Sequence, residues 1–226
     1  MTKIRSRAVI LFLAMCLTTS AQVRNPTVTK LSSPMVISGF ADGAVIDLTN
    51  QRLVATQRMP WLLQIDGTHN PNGTGQTFDV TIKVGVVDAN NLASNAIMLY
   101  GGIQDSQITI ASALNAIDTG VFINDSPNFG FFNNFITIGA IRNSQHNGAV
   151  FVSPKSGVLG IQGNHIQIGQ VIANGDSGIL LQGVTAYNYL VVGPVEHNRL
   201  YGCYDEQGPN TWVIVNSNSN GQHQAC

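Results

Sequence analysis

Charged side chains are scarce in this sequence. Asp, Glu, Lys and Arg make up 10% of its 226 residues, and the formal net charge is −1. A surface so weakly charged gives no electrostatic case for nucleic acid or an anionic membrane as partner. Long apolar runs are missing as well. The stretch from Ala8 to Leu17 is too short to span a bilayer, and no other segment approaches the required length. Cysteine occurs three times, as Cys16, Cys203 and Cys226, at spacings that match no zinc site. No phosphate-binding loop or nucleophile elbow is present. No cofactor or metal is therefore expected. Helical periodicity is absent too: apolar residues alternate with period two, and glycine interrupts the segments.

What the chain has in quantity is glycine, 23 residues, and asparagine, 22. Both suit a fold with many tight turns and stacked polar side chains. Residues 1–21 read as a signal peptide. Lys3, Arg5 and Arg7 form a basic region, Ala8 to Leu17 the apolar region, and Thr19-Ser20-Ala21 the small residues before a cut ahead of Gln22. Export to a secreted or periplasmic location follows as the expectation. Removing the signal removes Cys16 and leaves an even pair of cysteines, which suits one disulfide.

A long-period repeat organises the rest. Five segments share an apolar-x-apolar-small pattern and begin at Ile82, Ile108, Ile136, Ile166 and Leu190. With each start as position 0, position 2 is Val or Ile, position 3 is Gly or Ala, and position 5 reads Val87, Ala113, Ile141, Val171, Val195. Position 12 reads Ser94, Gly120, Gly148, Gly178, Gly202. Length variation is expected only after position 16. Positions 0 and 2 point inward on a strand, and the small residue at position 3 suits a bend. The column two before each start reads Val80, Ser106, Asn134, Asn164, Asn188, a candidate amide ladder. Units this small cannot bury their own faces and must stack, about 4.8 Å apart. The fold expected is an all-β, right-handed parallel β-helix of five to six coils over 78–226, ending in a polar tail. Residues 22–77 are expected to form an irregular first coil and cap. A last partial coil is expected to start at Val213.

These coils, the Asn column and the segment Asn198-Arg199-Leu200-Tyr201-Gly202-Cys203-Tyr204-Asp205-Glu206-Gln207-Gly208 resemble the pectate-lyase-like superfamily of parallel β-helices. The resemblance covers roughly residues 78 to 216. It implies an extracellular polysaccharide as partner, since many members bind or cleave acidic or neutral polysaccharides. The enzyme signatures of such families do not carry over. There is no Gly-His-Gly, no Asp-Asp, no Arg-x-Lys and no dense acidic cluster for calcium.

Two candidate sites follow from the register. Position 10 reads Leu92, Asp118, His146, Asp176, Leu200. Asp118 and Asp176 would stand two coils apart, about 9.6 Å by backbone rise. That lies near the upper end of an inverting glycosidase's carboxylate separation, with His146 between them to share a proton. The competing reading is turn chemistry, because Asp-Thr-Gly and Asp-Ser-Gly are ordinary turn sequences. The second candidate is the outward face beside position 0, where Phe135, His165 and Tyr189 stack near Gln167, with Lys83 in the same face. Aromatic rings beside amides and hydroxyls suit sugar rings, although such stacking also stabilises neighbouring coils. Cys203 lies thirteen residues after Leu190, and Cys226 thirteen after Val213, so the pair is expected to stack and form a disulfide. The resulting expectation is a secreted β-helix that binds an extracellular polysaccharide. If the carboxylates are catalytic, it also cleaves that polysaccharide as a hydrolase or lyase. The alternative is a non-catalytic structural or adhesive solenoid.

Overall fold

The computed structural model describes residues 25–125, 128–153, 160–183, 185–206 and 208–221. The expected signal peptide lies outside them, as does Cys226. The described chain is all-β, with parallel sheets stacked as a solenoid of about six turns. Among the described residues no helix is long and apolar enough to cross a membrane.

Three parallel sheets run along the solenoid. Sheet A contains Thr27–Leu31, Val45–Ala55, Thr81–Asp88, Gln107–Leu114, Phe135–Arg142, His165–Ile168 with Val171–Ile172, Tyr189–Glu196 and Thr211–Asn218. Sheet B runs from Met35–Ser38 and Met59–Asp66 through Ala93–Tyr100, Thr119–Asn124, Asn147–Ser153 and Ile179–Gly183 to Cys203–Asp205. Sheet C is made of two-residue strands, among them Ile103–Gln104, Phe131–Phe132 and Ile161–Gln162.

The pairing register is the repeat read from the sequence. Ile82, Ile108, Ile136, Ile166 and Leu190 are directly opposed on successive strands. All five are at most 1% exposed, and so are the position-5 residues Val87, Ala113, Ile141, Val171 and Val195. Each fully buried Ile, Leu or Val contributes about 1.5–3 kcal/mol, so these columns are the main cohesive term. The inward phase jumps from position 2 to position 5, so the strand bends at the small residue between them. Gly139, Gly169 and Gly193 there pack directly on the backbone of the preceding coil, where a Cβ would collide with a carbonyl oxygen. Gly148 and Gly178, at position 12, likewise press on backbone carbonyls of the next coil. None of these five glycines has positive φ, so close approach is what selects them.

Two corners flank sheet A, built alike. Each turns on one residue with positive φ and follows it with an inward residue, Val80 or Ala116 in the first coil of each corner and Ser or Asn in the later ones. At the entry corner the turning residues are Asp79, Asp105, Asn133, Gly163 and Tyr187, with φ between 49° and 67°. At the exit corner they are Asn115, Asn143, Ala173, His197 and Ser219, with φ between 55° and 58°. Such a conformation costs a non-glycine residue about 1 kcal/mol or more. Ladder hydrogen bonds offset it. At the entry corner the backbone N–H groups of Ser106, Asn134, Asn164 and Asn188 donate to the Oδ1 atoms of Asn134, Asn164, Asn188 and Asn210, at 2.9–3.1 Å. At the exit corner Ser144, Asn174 and Asn198 donate in the same way to Asn174, Asn198 and Asn220.

Two details differ from expectation. The coil beginning at Ile82 carries two extra residues at its exit corner, where Asn90 and Asn91 both have positive φ. Ile97 therefore opposes Val121, and Ala96, not Ser94, takes the glycine position. Leu92 accordingly falls outside the position-10 column, and length varies at this corner as well as after sheet B. Secondly, Trp212, not Val213, opposes Leu190, which moves the last coil's register by one residue. Within 22–77, strands between Thr27 and Asp66 pair in parallel within sheets A and B, and the ladder slips between Leu48 and Arg52. The loop from Thr68 to Gln76 is tied down by Asp42, whose carboxylate accepts from Asn70 Nδ2, Asn72 Nδ2 and the Phe78 N–H.

Candidate functional site

The position-10 residues stack at the end of the exit corner. The His146 N–H donates to the Asp118 carbonyl, and the Asp176 N–H to the His146 carbonyl, so the three occupy successive coils as expected. The side chains of His146 and Asp176, with Arg199 from the following coil, form a clamp. His146 Nδ1 lies 2.7 Å from one Asp176 oxygen, and Arg199 Nη2 donates to the other at 2.7 Å. The hydrogen bond with His146, followed by Arg199, holds the Asp176 carboxyl below the ordinary carboxylate range. A carboxyl that gives up its proton so readily is poorly suited to be a general acid. Both of its oxygens are already engaged across three coils. Arg199 stands in the sequence only as a member of the Asn198–Gly208 segment, and its approach to Asp176 depends on the coil register.

The outward face of sheet A differs. Phe135, His165 and Tyr189 are directly opposed on three neighbouring strands. The Phe135 and His165 rings are stacked at 4.7 Å between centroids with 16° between planes. His165 and Tyr189 are 5.1 Å apart and tilted by 43°. Phe135 is 46% exposed and Tyr189 39%. Gln167 is exposed on the same strand and face as His165, and opposes Thr137. Lys83 shares Gln167's column but stands three coils away, about 14 Å by rise, and opposes Asp47. The structure thus gathers Phe135, His165, Tyr189 and Gln167 and leaves Lys83 apart.

One carboxyl has the opposite character to Asp176. Asp125 is 1% exposed, and burial raises its pKa although Ser153 Oγ donates to it at 2.7 Å. Nothing in its sequence context marked it. Cys203 is disulfide-bonded; the partner expected for it, Cys226, lies outside the described residues. Among the described residues no group of three or more His, Cys, Asp or Glu side chains could hold a metal ion. Compared with known proteins, the chain matches no family model, no curated protein and no solved structure.

Proposed function

We propose that this chain is an exported glycan-recognition solenoid of the pectate-lyase-like kind, which binds an extracellular polysaccharide through the outward face of sheet A. The observation that carries the reading is the exposed ring stack Phe135–His165–Tyr189 with Gln167 and Thr137 beside it. Rings on successive strands repeat at the coil rise and offer an apolar ledge. Amides and hydroxyls next to it can donate and accept, as sugar hydroxyl groups require. The disulfide at Cys203 supports export, because such bonds persist in oxidising compartments.

Recognition without cleavage is the form the geometry favours. In the position-10 column Asp176 is engaged by both His146 and Arg199, which leaves it poorly suited to be the general acid of a hydrolysis. A glycan array with a parallel reducing-sugar assay tests the proposal. Binding without turnover is the expected result. Turnover that is lost in both Asp118→Asn and Asp176→Asn would restore the column as a catalytic pair. Absence of binding to any glycan would overturn the reading and leave a purely structural solenoid.

A further inference from the structure

On a regular solenoid the corner columns form continuous ridges. The entry-corner column of turning residues reads Asp79, Asp105, Asn133, Gly163, Tyr187. The ridge is interrupted at Gly163, where no side chain stands between Asn133 and Tyr187. A recess of about 320 Å³ opens there, at the small end of the ~300–1,000 Å³ typical of ligand pockets. Its lining is Gln104, Phe132, Asn133, Gln162, Gly163 and Tyr187. Gln104, Phe132 and Gln162 are successive outward residues of sheet C and bring an aromatic ring between two amides. Tyr187, 72% exposed, contributes a second ring at the rim.

We propose that the recess at Gly163 is a binding subsite for one neutral sugar ring, set around the corner from the Phe135–His165–Tyr189 stack. The inference rests on the glycan-binding reading and adds to it a place and a substrate class. Two rings supply apolar contact to the C–H face of a pyranose. The amides of Gln104 and Asn133 supply donors and acceptors for its hydroxyl groups. No lining residue is charged. The ridge residue beside Asn133 is Asp105, an anion that repels a uronate carboxylate. Neutral residues are therefore favoured over the acidic ones of a pectate-like polymer, and binding should be insensitive to salt.

The experiment is titration calorimetry of the full chain with neutral and with uronic-acid oligosaccharides, comparing wild type, Gly163→Asn, Tyr187→Ala and Phe135→Ala. Asn is chosen because it tolerates the positive φ of 67° at this site. The nearest atom to its Cβ would be Oδ1 of Asn133, the movable end of a side chain. Expected is binding of a neutral oligosaccharide, weakened at least tenfold in both Gly163→Asn and Tyr187→Ala, with thermal unfolding unchanged. Should Gly163→Asn unfold, Tyr187→Ala decides, since that side chain is largely in solvent. Wild-type affinity in both variants, with loss only in Phe135→Ala, overturns the subsite and leaves the sheet A face intact. A salt-sensitive preference for uronic acids overturns it as well. Failure of the wild type to bind any glycan removes the parent reading and this one with it.

Discussion

The side-chain oxygen of Asn164 accepts two hydrogen bonds from Asn134 on the preceding coil, from its backbone N–H at 2.9 Å and from its Nδ2 at 3.0 Å. Its own Nδ2 contacts the Phe131 carbonyl at 3.0 Å and Asn188 Oδ1 at 2.9 Å. All this is buried. Asn164→Ala strands several buried polar groups at about 1–3 kcal/mol each, so a loss of about 3 kcal/mol is expected from urea unfolding. Asn164→Ser should recover part of it, because Ser106 already serves the same ladder with its hydroxyl, accepting from the Val80 N–H at 3.0 Å.

Gly148→Ala should destabilise by about 1–3 kcal/mol, the ordinary cost of overpacking. The added methyl group would collide with the Gly178 carbonyl and lie 2.7 Å from Val171 Cγ1. Gly43→Ala probes the contrasting case. Nothing lies within 4 Å of its Cβ position, but its φ is +72°. It should lose only about 1 kcal/mol, from backbone strain alone. Denaturant midpoints of the two variants separate collision from conformation.

Acidification should release the Asp176 clamp. Its folded pKa is lowered from 3.8, so its contribution to stability is fully present above 3.8 and is lost as pH falls through the lower folded value. His146 and Arg199 side chains are 56% and 73% exposed, which limits the effect to about 1 kcal/mol or less. The difference in urea midpoint between wild type and Asp176→Asn should be measurable near neutrality and vanish once the pH has fallen below the lowered folded value. A constant difference across that range would mean that the clamp's charge contributes nothing.

Asp125→Asn should leave stability unchanged or raise it by up to about 1 kcal/mol at neutral pH. Burial raises the Asp125 pKa, so the ionised form is penalised in the folded state and that penalty grows as pH rises above 3.8. The amide keeps an acceptor for Ser153 Oγ without the charge. Thermal unfolding at pH 4 and pH 8 checks the sign, since the variant's advantage should be larger at pH 8.

Non-reducing peptide mapping should find Cys203 joined to Cys226. Reduction, or Cys203→Ser, should then lower stability by about 2–5 kcal/mol, the usual cost of losing a native disulfide in a small domain. Recovery of Cys203 as a free thiol from protein prepared without reductant would contradict this.

The repeat was legible because its inward columns are chemically uniform: Ile, Ile, Ile, Ile, Leu at position 0 can be aligned by eye. The entry ladder was legible for the same reason. The exit ladder was missed although its members Ser144, Asn174 and Asn198 lie eight residues after their starts, because 22 asparagines offer many alignments and only contact separates ladder from loop. Leu92 was misplaced because Asn90 and Asn91 lengthen one corner inside an otherwise fixed part of the coil. The recess at Gly163 was invisible for a different reason. It is defined by a missing side chain in a column, and a single glycine among 23 carries no mark of what its neighbours on other coils present.

The parallel ladders also bear on how the chain reaches this state. The ladder partners of the regular coils are only 22 to 30 residues apart in sequence, from Leu190 opposite Trp212 to Ile136 opposite Ile166. No strand must wait for a partner at the far end of the chain, as in a Greek-key sandwich, so loop-closure entropy stays small at every step. Folding can start on any coil and zip outward one rung at a time. Strands of the regular coils, released in chain order from one end, each meet a partner within about thirty residues of the last.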